Sequence, residues 1–484
     1  MKFNRKVIIC MIMILSMLLG GCGTSLGSSV KKVKLDPDNP TRVVVWHYYN
    51  GDQLEAFNKL IDEFNGSVGK KEGIYVEGAN FGTVNELKDS IGAAVKHRTG
   101  AEAIPNIFAG YADTVYEVDK LGYVVDLKEY LTQKEQDKYI KSYIEEGEFS
   151  GDGSLKIFPT AKSTEVFMLN KTDWNKFAEA TGADLNDLKT IEGVTKTAQA
   201  YYEWTDSQTK KKNDGKAFFG RDALANYFII GAKQLGTEIF SVKDGKVTLD
   251  FDKEVIRKIW DNYYVPFVKG YFAASGKFRS DDINTGNILS FVGSSAGATF
   301  FPNEVIVDDT RSYPIDMEVL EAPEFEGGED YAVQQGAGMA VTKTDEKQMY
   351  ASVQFLKWFT EDERNIQFSV ASGYLPVTKT ANDVKKIEET TDLTGNNEVP
   401  IVKAAIDTVN HNTLYTTKAF EGGTDARNIL EYAMSDKASA DRKTVVKRLK
   451  KGESFDEAVK DFVSDSNFDT WYEATKAKLE KIVK

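Results

Sequence analysis

Cysteine is nearly absent. The 484 residues contain two, Cys10 and Cys22, too few for a disulfide framework or a zinc–thiolate site. Histidine is almost as scarce. His47, His97 and His411 are the only three; no two stand at metal-ligand spacing, and no His-Glu-x-x-His occurs. Positive excess is lacking as well: 61 Lys and Arg stand against 74 Asp and Glu, a net charge of −13. That balance argues against nucleic acid as a partner, because phosphate backbones demand local cation excess. It leaves room for a small anion held by one or two arginines. After Leu19 no apolar run approaches the ~20 residues of a membrane span. There is no internal repeat and no low-complexity tract. What remains is 41% hydrophobic and 28% charged, a globular composition, and the chain is long enough for two or more cores.

The N-terminus reads as a processed segment. Lys2, Arg5 and Lys6 precede an apolar run, Val7 to Leu19, which closes on Leu18-Leu19-Gly20-Gly21-Cys22. That ending resembles a bacterial lipobox and implies cleavage after Gly21, with lipid on the Cys22 sulfur. Residues 1–21 are then a signal peptide and 22–40 a lipidated cysteine and flexible tether. Cys10 leaves with the signal. Three cations leave too, taking the net charge from −13 to −16.

The body opens on Val43-Val44-Val45, a β-branched run expected to be a strand buried on both faces. It runs into four ring residues, Trp46-His47-Tyr48-Tyr49, then Asn50-Gly51 and a helical pattern at Leu54, Phe57, Leu60, Ile61 and Phe64. The rings therefore stand at the carboxyl end of a first strand, where open α/β sheets place ligand crevices. Rings with polar tips suit a flat polyhydroxylated ligand. Period-two alternation cannot aim all four at one ligand, so His47 and either Tyr48 or Tyr49 are expected in the cleft, with Trp46 beneath. Strands follow at Gly73–Gly78, Ile104–Ala109, Glu165–Asn170, Ile288–Val292 and Tyr331–Val341, alternating with helices. That alternation predicts mostly parallel sheets flanked by helices.

Catalytic patterns are thin. Gly293-Ser294-Ser295-Ala296-Gly297 matches a Gly-x-Ser-x-Gly elbow with Ser295 in the nucleophile's slot, but a triad would need a histidine beside it. Asp52, Asp113 and Asp222 are the acids of the rim segments, so a two-carboxylate glycan hydrolase is the enzymatic alternative.

Several blocks together resemble one family. The lipobox, V-V-V-W-H-Y-Y-N-G, F-P-T-A-K-S-T-E-V-F-M-L-N-K and F-L-K-W-F-T-E-D-E-R-N-I-Q-F-S-V-A-S-G-Y-L-P-V-T-K are similar to the family 1 extracellular solute-binding proteins of carbohydrate-class ABC importers. The pattern lies nearest the family's glycerol-3-phosphate and glycerophosphodiester receptors. The resemblance implies an α/β, two-lobed periplasmic-binding-protein fold of type II with a ligand cleft between the lobes. Lobe one would comprise 41–155 and 333–380, lobe two 156–332 and 381–484. It implies no catalysis, no metal and no cofactor. The partners would be a small carbohydrate or phosphate-ester ligand and ABC permease subunits; the protein would be an extracytoplasmic, lipid-anchored monomer.

Carried over residue by residue, Ser163 with Thr164 matches a Ser-Ser-Thr segment of those receptors. Ser294, with Ser295 in the same turn, matches their Ser-Ser-Gly. Gly336 matches a glycine whose N–H faces phosphate, Tyr374 the tyrosine of Gly-Tyr-Leu-Pro, and Arg427 loosely the phosphate-binding arginine. The departures matter equally. Tyr111 stands where the receptors have a glutamate for glycerol hydroxyls, and Val84 or Asn85 where they have a tyrosine. Phe219-Gly220-Arg221-Asp222 replaces two wall tryptophans. Arg221 with Asp222 beside rings is a set suited to sugar hydroxyls. The expected ligand is therefore a sugar or oligosaccharide first, and a glycerol- or sugar-phosphate second.

Overall fold

The computed structural model describes residues 30–243, 246–390 and 398–484. The signal segment and Cys22 lie outside the described residues. In chain order, the elements that position the site are β1 (Thr41–His47), α1 (Gly51–Gly66), β2 (Ile74–Asn80), α2 (Val84–Val95), β3 (Ile107–Gly110), α3 (Ala112–Lys120), β4 (Glu165–Asn170), β5 (Phe219–Arg221), α4 (Leu224–Gln234), β6 (Ser290–Ser294), β7 (Met317–Glu321), β8 (Tyr331–Val333), β9 (Gly338–Val341), α5 (Glu346–Phe359), α6 (Asp362–Ser372), β10 (Thr413–Tyr415) and α7 (Gly423–Lys450).

The β-branched run forms β1 with Val43 and Val45 fully buried and Val44 half-buried. It is central in the first sheet, whose order is β9-β3-β1-β2. β1 runs parallel to β2, from Thr41 opposite Ile74 to His47 opposite Asn80, and parallel to β3 at Val45 opposite Ile107. β9 closes the edge antiparallel, Gly338 opposite Gly110. α1 lays Phe57, Leu60, Ile61 and Phe64 on this sheet, and α5 adds Phe355, Leu356 and Phe359. α2 starts cleanly because Thr83 and Glu86 form a capping box, satisfying two otherwise orphaned N–H groups.

The second sheet has the order β7-β4-β6-β5, and its directions differ from the parallel pattern the alternation predicts. β5 is parallel to β6, but β4 is antiparallel to both β6 and β7. β4 enters from an extended crossing out of the first lobe and not from a helical crossover, so nothing imposes parallel pairing on it. Its core gathers Phe167 and Leu169 from β4, Phe228 from α4, and Leu430 and Met434 from α7.

The chain crosses between the two lobes through segments that pair with one another. Phe158 bridges to Met339, Ser163 to Gln335, and Lys162 to Leu375. The expected continuous strand over Tyr331–Val341 is therefore two strands, β8 and β9, joined by the crossing Gln334-Gln335-Gly336-Ala337. The described end of the expected tether is not free: Lys31 N–H donates to the Glu129 carbonyl at 2.8 Å and Leu35 packs on the first core. No helix of the described residues is long and apolar enough to cross a membrane.

Candidate functional site

β1 delivers the ring cluster, but the pleat and α1 sort it differently from expectation. His47 is 1% exposed, edge-on to Phe57 with ring centroids 4.8 Å apart. Its Nδ1 accepts the Tyr49 N–H at 3.2 Å. His47 is thus a core residue under α1, not a cleft residue. Burial lowers its pKa to about 4, so it is neutral. Trp46 packs beneath, tilted against Phe81 with ring centroids 4.1 Å apart. Tyr49 is buried against Phe57, Phe368 and Tyr374.

Tyr48 is the ring that turns to the cleft. Its hydroxyl faces those of Tyr374 and Tyr111 and the backbone of Ala337. Three tyrosine hydroxyls thus meet from three places: the end of β1, the end of β3, and the turn after α6. Burial raises all three phenols well above their usual range. They remain neutral, each able to donate and accept.

The second lobe answers with a network the sequence did not announce. Glu165, first residue of β4, is buried and ion-paired with Arg221 at the end of β5. The Arg221 guanidinium also covers the Tyr227 ring at 5.2 Å. Asn226, in the first turn of α4, donates to Glu165 Oε1 at 2.9 Å and to Gln335 Oε1 at 2.8 Å. Its own carbonyl oxygen accepts from Arg427 Nη2 at 2.7 Å. One amide thereby ties a lobe-two strand, the crossing and α7 together. Burial raises the Glu165 pKa, against the pull of Arg221. On the other side of the crossing, Glu146 is paired with Lys162 at 2.6 Å and accepts from Gln334 Nε2 at 2.6 Å.

Between these groups lies a cavity of about 260 Å³. Tyr111, Asp113 and Glu146 line it from the first lobe, Ala223, Asn226 and Arg427 from the second, and Gln334 and Gln335 from the crossing. Asp113 is pushed up to about 6 by burial, opposed by Arg427 and Lys88. Asp222 is likewise pushed up to about 6 by burial, with Arg279 Nε at 3.4 Å from its carboxylate. Ala223, next to it, holds φ at +48°, a left-handed conformation that costs a β-carbon-bearing residue roughly 1–2 kcal/mol.

Of the residues singled out in the sequence, Tyr111, Asp113 and Arg427 line this cavity. Tyr48 and Tyr374 adjoin it through Tyr111, and Arg221 stands behind Asn226 through Glu165. Ser163, Thr164, Ser295 and Gly336 are elsewhere: they build the crossings. Ser163 exchanges both backbone hydrogen bonds with Gln335, and the Thr164 carbonyl accepts the Ser295 N–H at 2.8 Å. Gly336, at φ +92°, is pressed against Ala161 and Lys162. Ser294 ends β6, beside the same crossings. The Ser295 hydroxyl is buried with no hydrogen-bond partner. His97 bonds Tyr123 and His411 faces Glu321, so neither histidine is the partner of the Ser295 hydroxyl. Among the described residues no group of three His, Cys, Asp or Glu is placed to hold a metal.

Glu146, Glu165, Asn226, Gln334 and Gln335 were not picked out by sequence reasoning. A signal existed for two of them. Glu165 opens an otherwise apolar strand and Asn226 interrupts an apolar helix, and a polar group in such a run must find a partner inside.

Comparison with known proteins supports the same architecture. The sequence profile of the bacterial extracellular solute-binding protein family matches residues 59–395. No curated protein matches the chain by sequence. Solved structures that match include UgpB from Mycobacterium tuberculosis in complex with glycerophosphocholine, at TM-score 0.67 and 19% identity, covering 92% of this chain and 99% of that one. Another is the cyclic α-maltosyl-1,6-maltose binding protein of Arthrobacter globiformis, at TM-score 0.65 and 18% identity, covering 92% and 100%. A third is the maltotriose-bound maltodextrin-binding domain MalE of Bdellovibrio bacteriovorus, at TM-score 0.60 and 14% identity, covering 91% and 100%.

Proposed function

From the premise that the chain belongs to the bacterial extracellular solute-binding protein family, we propose that it is the extracytoplasmic receptor of an ABC importer for a neutral sugar or oligosaccharide. The ligand would close the two lobes on itself, be handed to the permease unchanged, and undergo no turnover. Lobe one would be 41–155 with 333–380, and lobe two 156–332 with 381–484. A lipid on Cys22 would tether the monomer to the membrane.

The observation that carries this reading is the chemistry of the cavity wall. Tyrosine hydroxyls and the amides of Asn226, Gln334 and Gln335 present donors and acceptors in neutral form. Lys162 is committed to Glu146, and Arg427 spends one N–H on Asn226 and stands opposite Asp113. A phosphate would have to face Asp113 and Glu146, whereas sugar hydroxyls can donate to those carboxylates and to the unpartnered Gln334 Oε1 and pair with the Tyr111 hydroxyl. The neighbours in fold bind both kinds of ligand: a cyclic maltosyl-maltose, maltotriose and glycerophosphocholine. Arg427 in the wall is what keeps the phosphodiester as a second reading.

Thermal shift decides between them. A ligand at 100 times its dissociation constant stabilises the bound form by about 2.7 kcal/mol. Maltotriose and cyclic tetrasaccharides are expected to raise the melting temperature, while glycerophosphocholine and glycerol 3-phosphate leave it unchanged. Shifts with the phosphate esters alone would reverse the order of the two readings. Chromatography of the ligand after incubation is expected to return it intact, and the appearance of hydrolysis products would overturn the receptor assignment. The same preparation with Cys22→Ala is expected to leave the membrane fraction.

A further inference from the structure

A second cavity, of about 600 Å³, opens on the second lobe away from the cleft. Its charged lining is Lys216, Arg442 and Lys443, with no carboxylate among the lining residues. In a chain of net charge −13 this is a local inversion of sign. Arg442 is the unusual member. Arg221, Arg257, Arg279 and Arg448 of the same lobe each hold a carboxylate. Arg442 forms no ion pair among the described residues. Its Nη1 donates to the Val268 carbonyl at 3.1 Å, and its guanidinium also meets the Tyr202 hydroxyl.

The guanidinium is held in place all the same. Gly270 lies over it at φ +90°, and a β-carbon there would stand 2.2 Å from Nη2. The Tyr202 and Tyr271 rings adjoin it, with the Tyr202 hydroxyl turned to the guanidinium. Burial without a counter-ion lowers the Arg442 pKa. A fixed guanidinium has five N–H donors in a planar fork suited to oxyanions, and here most of them are unspent. Leaving a partly desolvated cation unpaired is costly, so such a site gains by taking an anion.

We infer that this cavity is a second ligand site, separate from the cleft, which binds a tetrahedral oxyanion of the phosphate type between Arg442, Lys443 and Lys216. The anion is either free or the end group of a larger molecule. The inference does not rest on the identity of the cleft ligand.

Calorimetric titration of the whole mature protein with inorganic phosphate at low ionic strength tests it. Wild type is expected to bind at millimolar concentrations or below. Arg442→Gln should weaken binding by about tenfold or more, the equivalent of roughly 1.4 kcal/mol, and leave saccharide affinity unchanged. Should Arg442→Gln fold poorly, the surface pair Lys216→Gln with Lys443→Gln gives the same reading with a loss of several-fold. Glycerol 2-phosphate matching phosphate would identify an end-group site, and weaker binding a free-anion site; either supports the assignment. It is overturned if wild type takes up no phosphate, or if binding survives Arg442→Gln and is lost in Asn226→Ala, which would place the anion in the cleft.

Discussion

An imidazolium at position 47 would have no partner. His47 Nδ1 already accepts the Tyr49 N–H, and Phe57 covers the ring. Its pKa near 4 in the folded protein, against 6.5 for a free side chain, has a signed consequence for stability. Below pH 6.5 the unfolded chain takes up a proton that the folded chain refuses until about pH 4. Stability therefore falls as pH drops through that window, by about 1.4 kcal/mol per pH unit and roughly 3 kcal/mol at most. His47→Asn keeps an acceptor for the Tyr49 N–H and has nothing to titrate. Urea denaturation at pH 7 and pH 4.5 is expected to show a smaller acid loss in the variant than in wild type. Equal losses would mean that His47 is solvated and belongs to the cleft after all. The residue type suited the site; the pleat and the covering helix put it in the core, and neither can be read from one position.

The elements were legible to the degree that one stretch of chain determines them. β1, α1 and β4 follow from β-branched runs and from apolar spacing of three and four, so their existence came through, though the face of His47 at the end of β1 did not. Strand direction in the second sheet did not, since periodicity carries no sign and β4 is reached by an extended crossing. The crossing at Gln334–Ala337 was likewise read as strand interior, because its extended backbone looks the same locally. Its geometry is set by Gly336, at φ +92° with the Ala161 carbonyl 3.0 Å from where a β-carbon would be. Alanine there is strained in backbone and crowded against the neighbouring crossing. Gly336→Ala is expected to destabilise the protein by about 1–2 kcal/mol, and to slow ligand-induced closure measured by stopped-flow tryptophan fluorescence. A variant with wild-type stability and kinetics would show that the crossing does not act as the hinge.

At the scale of the whole molecule the site exists only where the lobes meet, which is why so little of it was legible. Glu165, Asn226, Gln335 and Arg427 lie far apart in sequence and become one network through the fold. The same meeting creates a titration. Asp113 sits on α3 of the first lobe, but what buries it belongs to the second: the Phe420 N–H, Gly423 at the start of α7, and Arg427. Lys88 and Glu117 face it from its own lobe. With the lobes apart, its carboxyl would return towards the usual 3.8; together, it stands at about 6. Closing then takes up a proton between those values, so acid favours the closed form, and a ligand that binds the closed form gains affinity. Asp222, also near 6, does not contribute to this change, because Arg279 and Gly293 pack on it from its own lobe. Affinity for a neutral saccharide is therefore expected to rise several-fold from pH 7.5 to pH 5.5. Titrations in buffers of different ionisation enthalpy should register up to one proton absorbed per ligand bound. Asp113→Asn is expected to bind at pH 7.5 as tightly as wild type does in acid, with a flat pH profile. Wild-type affinity that falls with acid, or an unchanged slope in Asp113→Asn, would show that the carboxylate is not desolvated by closure and that the lobes do not meet at α7 when ligand binds.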